Sequence, residues 1–153
     1  MEKTNVMRIL EKYKVKYNTY YYGDVAMPGT EVASKIGIDA NRVFKTLVLT
    51  SKSKKNYVFV VPVNKELDLG KAAKLVKEKN VELIPQAQLL PLTGYVHGGC
   101  SPIGMKKFFQ TTIHESALDY ETIVFSAGKI GYQVEISVED LKKIIKIEIG
   151  DIV

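Results

Sequence analysis

Residues 93–107 read TGYVHGGCSPIGMKK and place four glycines and one proline between two apolar, strand-like stretches. Glycine has no Cβ and adopts positive φ without steric cost, so such a loop can bring bare backbone against a ligand. Successive N–H groups in a turn of this kind can form a concavity that binds an anion or a carbonyl oxygen. The stretch predicts a binding loop, with a glycine-rich bulge at a sheet edge as the alternative.

Periodicity in the rest of the chain predicts a mixture of strands and helices. Apolar, β-branched runs at 43–50 and 57–63 flank the polar residues 51–56, which is the pattern of a β-hairpin. Further strands are predicted at residues 15–22, 81–84, 111–114, 122–126 and 133–136. Helices are predicted at residues 4–14, at 30–36 with Thr30 as its cap, from Asp68 onward, and from Ser137 to about Ile145.

The composition is that of one ordinary globular domain. A chain of 153 residues with 46% hydrophobic and 25% charged residues can bury a sizeable core, and we assign residues 1–153 to one domain. Predicted strands outnumber predicted helices, and several neighbouring strands are joined by short turns. We predict a single α/β domain in which helices flank a mixed, largely antiparallel and curled sheet.

Three features of the chain bear on where the protein works. No apolar run approaches the length of about 20 residues that a membrane-spanning helix needs. The N-terminal residues lead into an amphipathic stretch rather than into the apolar core of a signal peptide. The single cysteine, Cys100, excludes an internal disulfide framework. We predict a cytoplasmic protein with no membrane partner.

The positive charge is concentrated in the first half of the chain. Residues 1–79 contain 16 basic and 8 acidic residues, whereas residues 80–153 contain 6 basic and 9 acidic residues. Clustered cations favour an anionic partner, and nucleic acid is the first candidate because its phosphates bind such clusters. The alternative is a solvated surface, since 20 of the 22 basic residues are lysine.

The residue types in the chain argue against several kinds of catalytic site. His97 and Cys100 could begin a zinc site, but only one other histidine and no second cysteine exist, so we expect no metal and no cofactor. Cys100 would need a base such as His97 to act as a nucleophile. The phosphate-binding pattern G-x-x-x-x-G-K-[ST] is absent. Lys45 is therefore the candidate functional residue, because a lysine near the start of an apolar strand must reach solvent or a partner.

These segments together resemble the YbaK/EbsC family of freestanding aminoacyl-tRNA deacylases, whose fold is also that of the editing domain inserted in bacterial prolyl-tRNA synthetases. The resemblance covers nearly the whole chain. Its motifs here are VFKTL at 43–47, LDLGKAA at 67–73, TGYV at 93–96, GGCSPIG at 98–104 and SAGK at 126–129. Within the family, the chain is most similar to the branch that acts on Cys-tRNA(Pro) and Cys-tRNA(Cys).

The resemblance implies a site built from a lysine, a tyrosine and the glycine loop. The family's invariant lysine falls on Lys45, and its G-x-x-x-P loop falls on residues 98–102. A tyrosine of the cysteine-specific branch falls on Tyr22, directly after two other tyrosines. The implied catalytic residues are Lys45, Tyr22, Gly98, Gly99 and Ser101. The implied substrate-binding residues are Gly29, Gly94, Cys100, Pro102, Gly128 and Gln133.

Three positions depart from the family's pattern. Pro28-Gly29 stands where a phenylalanine-glycine pair is common, and Gln133 stands where the branch often has an acidic residue. Cys100 replaces a residue that is usually aliphatic, which argues again that its thiol is not the nucleophile.

The resemblance implies an enzyme that removes cysteine from mischarged Cys-tRNA(Pro) and from Cys-tRNA(Cys). The ester is already activated, so backbone N–H groups of the loop can polarise its carbonyl while Lys45 holds the tRNA end or the developing charge. The substrate's own thiol can attack the ester, which releases tRNA and a cyclic thioester. The alternatives are a water-dependent Ala-tRNA(Pro) deacylase and a non-catalytic module that binds aminoacyl-tRNA or a synthetase.

The tRNA is expected to contact the basic half of the chain. Lys71, Lys74 and Lys77 fall on one predicted helix and are the expected phosphate contacts. Prolyl-tRNA synthetase is a further candidate partner that the resemblance implies.

Overall fold

The computed structural model describes residues 2–153, so Met1, which the predicted domain includes, lies outside the described residues. The strands are β1 (Asn18–Tyr21), β2 (Phe44–Ser51), β3 (Asn56–Pro62), β4 (Val81–Leu83), β5 (Gln110–His114), β6 (Ile123–Ser126), β7 (Tyr132–Ile136) and β8 (Glu148–Gly150). The α-helices are α1 (Asn5–Lys12), α2 (Gly29–Ile36), α3 (Leu69–Leu75), α4 (Leu89–Thr93) and α5 (Val138–Lys142). None of the helices in residues 2–153 is both long and apolar enough to cross a membrane.

The strands form two sheets. Five strands make a mixed sheet in the order β4-β2-β3-β5-β8, and three make a smaller sheet in the order β1-β7-β6. In the larger sheet β2 pairs antiparallel with β3 and β4, whereas β5 runs parallel to both β3 and β8. The smaller sheet is antiparallel throughout. The predicted α/β fold with a mixed, largely antiparallel sheet is confirmed.

The two sheets meet where β2 begins. Outside the named strands, the described residues contain one isolated β-bridge, a parallel contact between Val43 and Val124. Val43 directly precedes β2, Val124 lies in β6, and both side chains are buried. The curl predicted for the sheet therefore takes the form of a junction, and this junction shapes the cavity described below.

Both faces of the larger sheet are buried, which explains the continuous apolar runs of its central hairpin. Val58 and Val60 face a core that is shared with α1 and with the smaller sheet. Phe59 and Val61, which alternate with them along β3, face a second core that is covered by α3. The hairpin predicted at these residues is confirmed as β2 and β3.

Local capping chemistry sets the starts and ends of the helices. Thr4 caps α1, because its hydroxyl accepts a hydrogen bond from the backbone N–H of Met7 at 3.3 Å. Such a cap is typically worth about 1 kcal/mol. Gly37 ends α2 in the left-handed conformation with a φ of 73°, as its position in the sequence predicts.

Two predicted helix boundaries are wrong. The cap of α2 is Pro28 rather than Thr30, because the Pro28 carbonyl already accepts the backbone N–H groups of Glu31 and Val32, three and four residues ahead. The last helix ends at Lys142 instead of near Ile145. The chain then turns and adds β8 to the edge of the larger sheet, a strand that the sequence pattern does not predict.

Candidate functional site

A cavity of about 210 Å³ lies at the junction between the two sheets. This volume is below the range of about 300–1,000 Å³ that is typical of sites for drug-sized ligands, so the cavity suits a smaller group such as one amino acid. The end of β1, the starts of α2 and β2, the glycine loop and parts of β6 and β7 form its wall. The wall residues that matter here are Tyr22, Gly29, Lys45, Thr46, His97, Gly98, Cys100, Ser126 and Gln133.

Lys45 reaches the cavity from the second residue of β2. Its backbone pairs with Val61 of β3, and its side chain is half-buried in the wall. Across residues 2–153 no carboxylate lies within salt-bridge distance of its ammonium group. The positive charge is therefore available to an anion or to negative charge that develops during a reaction.

The three consecutive tyrosines have different environments. The hydroxyl of Tyr20 donates to Glu135 at 2.7 Å, and the hydroxyl of Tyr21 donates to Asp24. Tyr22 is 5% exposed and lines the cavity. The geometry therefore favours Tyr22 over its two neighbours as the tyrosine of the site.

The glycine loop presents backbone to the cavity. Gly98 has a φ of 88°, and a Cβ there would lie 3.1 Å from a neighbouring side chain, so both conformation and space favour glycine. Gly99 uses its N–H inside the loop, where it donates to the carbonyl of Val96 at 3.0 Å. Among the described residues, the N–H groups of Gly98, Cys100 and Ser101 have no backbone acceptor. Of these residues Gly98 and Cys100 line the cavity, so their N–H groups are the donors that a carbonyl oxygen could meet.

Of the described residues, Ser101 and Pro102 are buried beside the cavity without lining it. The hydroxyl of Ser101 accepts the backbone N–H of Ile103 at 3.3 Å, which stabilises the turn. Pro102 lines a separate groove together with Met105 and Phe109. In this arrangement Ser101 shapes the loop, and its direct contact with substrate stays a prediction.

Gly94 and Gly128 are likewise near the loop but outside the wall formed by residues 2–153. Gly94 ends α4 directly before Tyr95, whose hydroxyl donates to the carbonyl of Ile103 in the loop. Gly128 has a φ of 88°, and a Cβ on it would lie 2.9 Å from the Tyr95 ring. The two glycines allow Tyr95 to support the loop, and their contact with substrate stays a prediction.

Cys100 lines the cavity, but its sulfur is a poor nucleophile there. The residue is 9% exposed, and burial raises the pKa of the Cys100 thiol to about 12. The thiolate, not the thiol, is the reactive form of cysteine. At neutral pH the side chain therefore acts as part of the wall, in agreement with the expectation from the sequence.

Two side-chain oxygens in the wall are buried without a hydrogen-bond partner among the described residues. They are Oε1 of Gln133 and Oγ1 of Thr46. Gln133 is 6% exposed and lies in β7, where it pairs with Ser126 of β6 and Tyr20 of β1. Because buried polar atoms are nearly always paired, an unpaired acceptor in a cavity wall marks a place for a donor on a ligand.

Gly29 completes the wall at the first residue of α2. A Cβ at this position would lie 2.5 Å from Cγ1 of Val63, which follows β3. A larger residue would push α2 away from the sheet and deform the cavity. Pro28, which stands where the family often has phenylalanine, also lines the cavity.

Three polar wall residues are absent from the sequence-based assignment. Thr46 follows Lys45 at the start of β2, where both faces of the strand border the cavity. Ser126 reaches the wall because β6 pairs with β7 and places it opposite Gln133, a contact that strand register decides. His97 directly precedes Gly98, and this adjacency to the glycine loop is a signal that the sequence does carry.

The three lysines that are expected to contact tRNA do not share one environment. Lys71 donates to the carboxylate of Asp151 at 2.9 Å and to the carbonyl of Val153 at 2.7 Å. Lys74 and Lys77 are exposed, and within residues 2–153 neither forms an ion pair. Lys71 is therefore engaged by residues 151–153, whereas the other two are available to a partner.

One group of side chains outside the cavity could share a cation. Ligand atoms of His114, Glu115 and Asp151 lie within 4.8 Å of one another. The ammonium group of Lys71 already lies 2.9 Å from Asp151, so a cation would have to compete with it. This group has no part in the cavity wall.

Comparison with known proteins identifies the family. The family described as the aminoacyl-tRNA editing domain matches residues 26–144, a range that contains Lys45, the glycine loop and Gln133. This chain belongs to the aminoacyl-tRNA editing domain family. The resemblance found in the sequence is thereby confirmed.

A curated relative of this editing domain is a proposed Cys-tRNA(Pro)/Cys-tRNA(Cys) deacylase, EbsC, of Enterococcus faecalis (strain ATCC 700802 / V583). It is 44% identical to the chain over 140 residues, which are 90% of this chain and 85% of that protein. This identity and coverage also place the chain in the family.

Solved structures share the fold of this editing domain. A proposed trans-editing enzyme for prolyl tRNA synthetase matches with a TM-score of 0.83 at 22% identity, over 99% of this chain and 98% of its own. The hypothetical protein APE2540 matches with a TM-score of 0.86 at 19% identity, over 96% of this chain and 97% of its own. At these identities the structures show a common fold alone.

Proposed function

We propose that this protein is an aminoacyl-tRNA deacylase that removes cysteine from mischarged Cys-tRNA(Pro) and from Cys-tRNA(Cys). One observation carries the proposal: among the described residues, the cavity combines a Lys45 ammonium that forms no ion pair with backbone donors that have no backbone acceptor, while its one cysteine is a buried thiol. The family of the chain and the name of its 44% identical relative support the same activity.

In this reaction the glycine loop, Lys45 and Gln133 each contact the aminoacyl ester. The free N–H groups of the glycine loop donate to the ester carbonyl, where loss of one donor typically costs about 10²–10³-fold in kcat. Lys45 neutralises the negative charge that develops on that oxygen or belongs to the tRNA end. The unpaired Oε1 of Gln133 accepts a hydrogen bond from the α-ammonium group of the amino acid, and the ring of Tyr22 limits the size of the pocket.

The reaction needs no nucleophile from the protein. The sulfur of the substrate's cysteine attacks its own ester carbon, a carbon–sulfur bond forms, and the bond between that carbon and the 3′ oxygen of tRNA breaks. The thiol proton ends on the released 3′ oxygen. The products are uncharged tRNA and a cyclic thioester of cysteine.

Substitution of Lys45 tests the assignment. Lys45→Ala should abolish deacylation and leave the fold intact, because the ammonium forms no ion pair in the described structure. Lys45→Arg should also fail, since a planar guanidinium does not replace a compact ammonium in a small cavity. Initial rates on Cys-, Ala- and Pro-charged tRNA(Pro), with thermal unfolding as the control, measure both effects. Near-normal turnover by Lys45→Ala would contradict the proposal.

The identity of the product separates the candidate mechanisms. A cyclic thioester identifies attack by the substrate's thiol, whereas free amino acid identifies attack by water. Faster release of alanine than of cysteine would favour the water-dependent Ala-tRNA(Pro) deacylase. Tight binding of charged tRNA without turnover would favour a binding module.

The tRNA body requires a basic surface outside the cavity, and two distant segments together provide one. The carboxylate of Glu78 accepts hydrogen bonds from Ser53 at 3.0 Å and from Tyr57 at 2.5 Å, which joins the tip of the β2–β3 hairpin to the residues after α3. We call the joined segments, residues 52–55 and 74–79, the lysine surface. Its exposed lysines are Lys52, Lys54, Lys55, Lys74, Lys77 and Lys79.

The lysine surface lies at a suitable distance from the cavity. Ser51, at the end of β2, is six residues from Lys45, which corresponds to about 20 Å along a strand. The unpaired 3′ end of a tRNA can span such a distance. The ester can therefore reach Lys45 while the acceptor stem lies on the lysine surface, and Lys71, engaged by Asp151, takes no part.

Replacement of Lys54, Lys74 and Lys77 by glutamine tests this path. Each lost phosphate contact should lower the slope of log affinity against log salt by about 0.9, so the tRNA KM should rise while kcat changes little. The matched control replaces Lys142, Lys143 and Lys146, which removes the same charge elsewhere on the protein. An equal salt slope in the two triple variants would mean that the lysine surface is only solvated.

A further inference from the structure

A partly buried polar network lies at the junction of the two sheets. The guanidinium of Arg42 donates to the carboxylate of Glu135 at 2.5 Å and to the hydroxyl of Thr122 at 2.8 Å. The same carboxylate accepts hydrogen bonds from Thr122 at 2.6 Å, from Tyr20 at 2.7 Å and from Asn18 at 3.2 Å. Glu135 is 8% exposed and the Arg42 side chain is 24% exposed, so the carboxylate is more shielded from water than its partner.

The network holds an ionised carboxylate at some cost. Burial opposes the charge on Glu135, but the hydrogen bonds from Thr122, Arg42 and Tyr20 outweigh it and lower the pKa of the carboxyl to about 2. A buried ion pair is often no more stabilising than well-packed apolar residues of the same volume. Stability alone therefore does not account for the pair, and its position suggests a second role.

Three of the segments that enter the network carry a wall residue of the cavity two or three positions away. These neighbours are Arg42 and Lys45 at the start of β2, Tyr20 and Tyr22 at the end of β1, and Gln133 and Glu135 on β7. Residues two apart on a strand lie on the same face of the sheet. The network and the cavity wall are therefore adjacent parts of one surface between the sheets.

Strand pairing between the two sheets is slight. Among the described residues, the bridge from Val43 to Val124 is the one isolated β-bridge outside the named strands, and apolar packing around the same two side chains accompanies it. Arg42 directly precedes that bridge, and its side chain reaches across it to β7. The Arg42–Glu135 pair therefore adds a polar link between the start of β2 and the middle strand of the smaller sheet to the apolar packing of Val43 against Val124.

We propose that Arg42 and Glu135 are positioning residues for deacylation. By clamping the two sheets together they set the distance between the ammonium of Lys45 and the wall formed by Tyr22 and Gln133. Neither residue touches the substrate in this role. The inference rests on the proposed deacylase function and adds two residues that no family motif above includes.

Kinetics of Glu135→Gln and Arg42→Lys test the clamp. A displacement of about 1 Å at a reacting group can cost about a hundredfold in rate, so kcat should fall by roughly ten- to a hundredfold. The tRNA KM should change by less than about twofold, because the lysine surface is untouched. Tyr20→Phe removes the bond from β1 without changing the charge and should lower kcat by a smaller factor.

A matched control separates positioning from simple loss of stability. Leu141 is fully buried in α5 and is no part of the cavity wall, so Leu141→Ala should destabilise the fold while kcat stays near the wild-type value. All variants are assayed at a temperature where unfolding curves show them folded. The NMR resonance of the Gln133 side-chain amide gives a readout that does not depend on turnover. It should shift in Glu135→Gln and Tyr20→Phe and stay unchanged in Leu141→Ala.

Two results would overturn the clamp. One is a wild-type kcat in Glu135→Gln, and the other is an unmoved Gln133 resonance in both Glu135→Gln and Tyr20→Phe. If Glu135→Gln does not fold, Tyr20→Phe decides the matter by the same two measurements. A wild-type protein that deacylates no charged tRNA would refute the proposed function instead, and the resonance would still test the clamp.

Discussion

Gln133→Met should make the protein more stable and less active. The oxygen Oε1 of Gln133 is buried without a partner among the described residues, and the residue is 6% exposed. An unpaired buried acceptor costs about 1–3 kcal/mol, and methionine fills the same space with no acceptor of that strength. We expect the free energy of unfolding to rise by about 1 kcal/mol, the lower end of that range, because the amide borders a cavity.

The same substitution removes the proposed acceptor for the α-ammonium group of the substrate. A hydrogen bond to a charged group is worth about 1.5–3 kcal/mol, which corresponds to roughly a ten- to a hundredfold loss in kcat/KM. For a domain of this length, 1 kcal/mol shifts Tm by about 2–4 °C. Calorimetry and deacylation kinetics on Cys-tRNA(Pro), carried out on one preparation, measure the two effects together.

Gln133→Glu is the matched control, because it keeps an acceptor at the same position. It should retain much of the kcat/KM and lose stability, since it buries a carboxylate in the wall. The reasoning is refuted if Gln133→Met lowers the free energy of unfolding and leaves kcat/KM unchanged. That outcome would mean that Oε1 is already satisfied and faces no substrate group.

Three further predictions concern other residues near the cavity. Cys100→Ala should keep kcat within about tenfold of the wild type, because burial raises the pKa of the thiol to about 12 and so keeps it protonated. A greater loss of kcat would support the alternative in which the sulfur of Cys100 is the nucleophile. Gly131→Ala should lower the free energy of unfolding in urea clearly more than Gly37→Ala does. Both glycines have positive φ, but of the two only Gly131 would place a Cβ against backbone, 2.2 Å from the carbonyl oxygen of Gly23. Equal losses of stability would show that the turn at Gly131 can relax. Hydrogen bonds from Thr122, Arg42 and Tyr20 lower the pKa of Glu135 from an ordinary value of 4.5 to about 2, so the stability that its charge contributes is present above pH 4.5 and is lost as the pH falls toward 2. Urea titrations from pH 6 to pH 2 should therefore show a flatter decline in Glu135→Gln than in the wild type, and parallel declines would contradict the linkage.

The sequence by itself determined the features that depend on neighbouring residues. The β2–β3 hairpin, the cap at Thr4 and the end of α2 at Gly37 follow from periodicity and capping over a few positions. Lys45 stands out because a charge interrupts an apolar strand. The motifs that identify the family are also contiguous runs of residues, so they can be recognised without knowledge of the tertiary structure.

Only the tertiary structure decided how these pieces meet, because strand register and sheet packing join residues that are far apart in the chain. The pairing of β1 with β7 places Tyr20 opposite Gln133 and so leaves Tyr22 at the cavity. The folded loop engages the N–H of Gly99 within the protein, and the same folding buries the Ser101 hydroxyl. No local pattern encodes the strand pairing, since it depends on free energy gained when distant segments pack together.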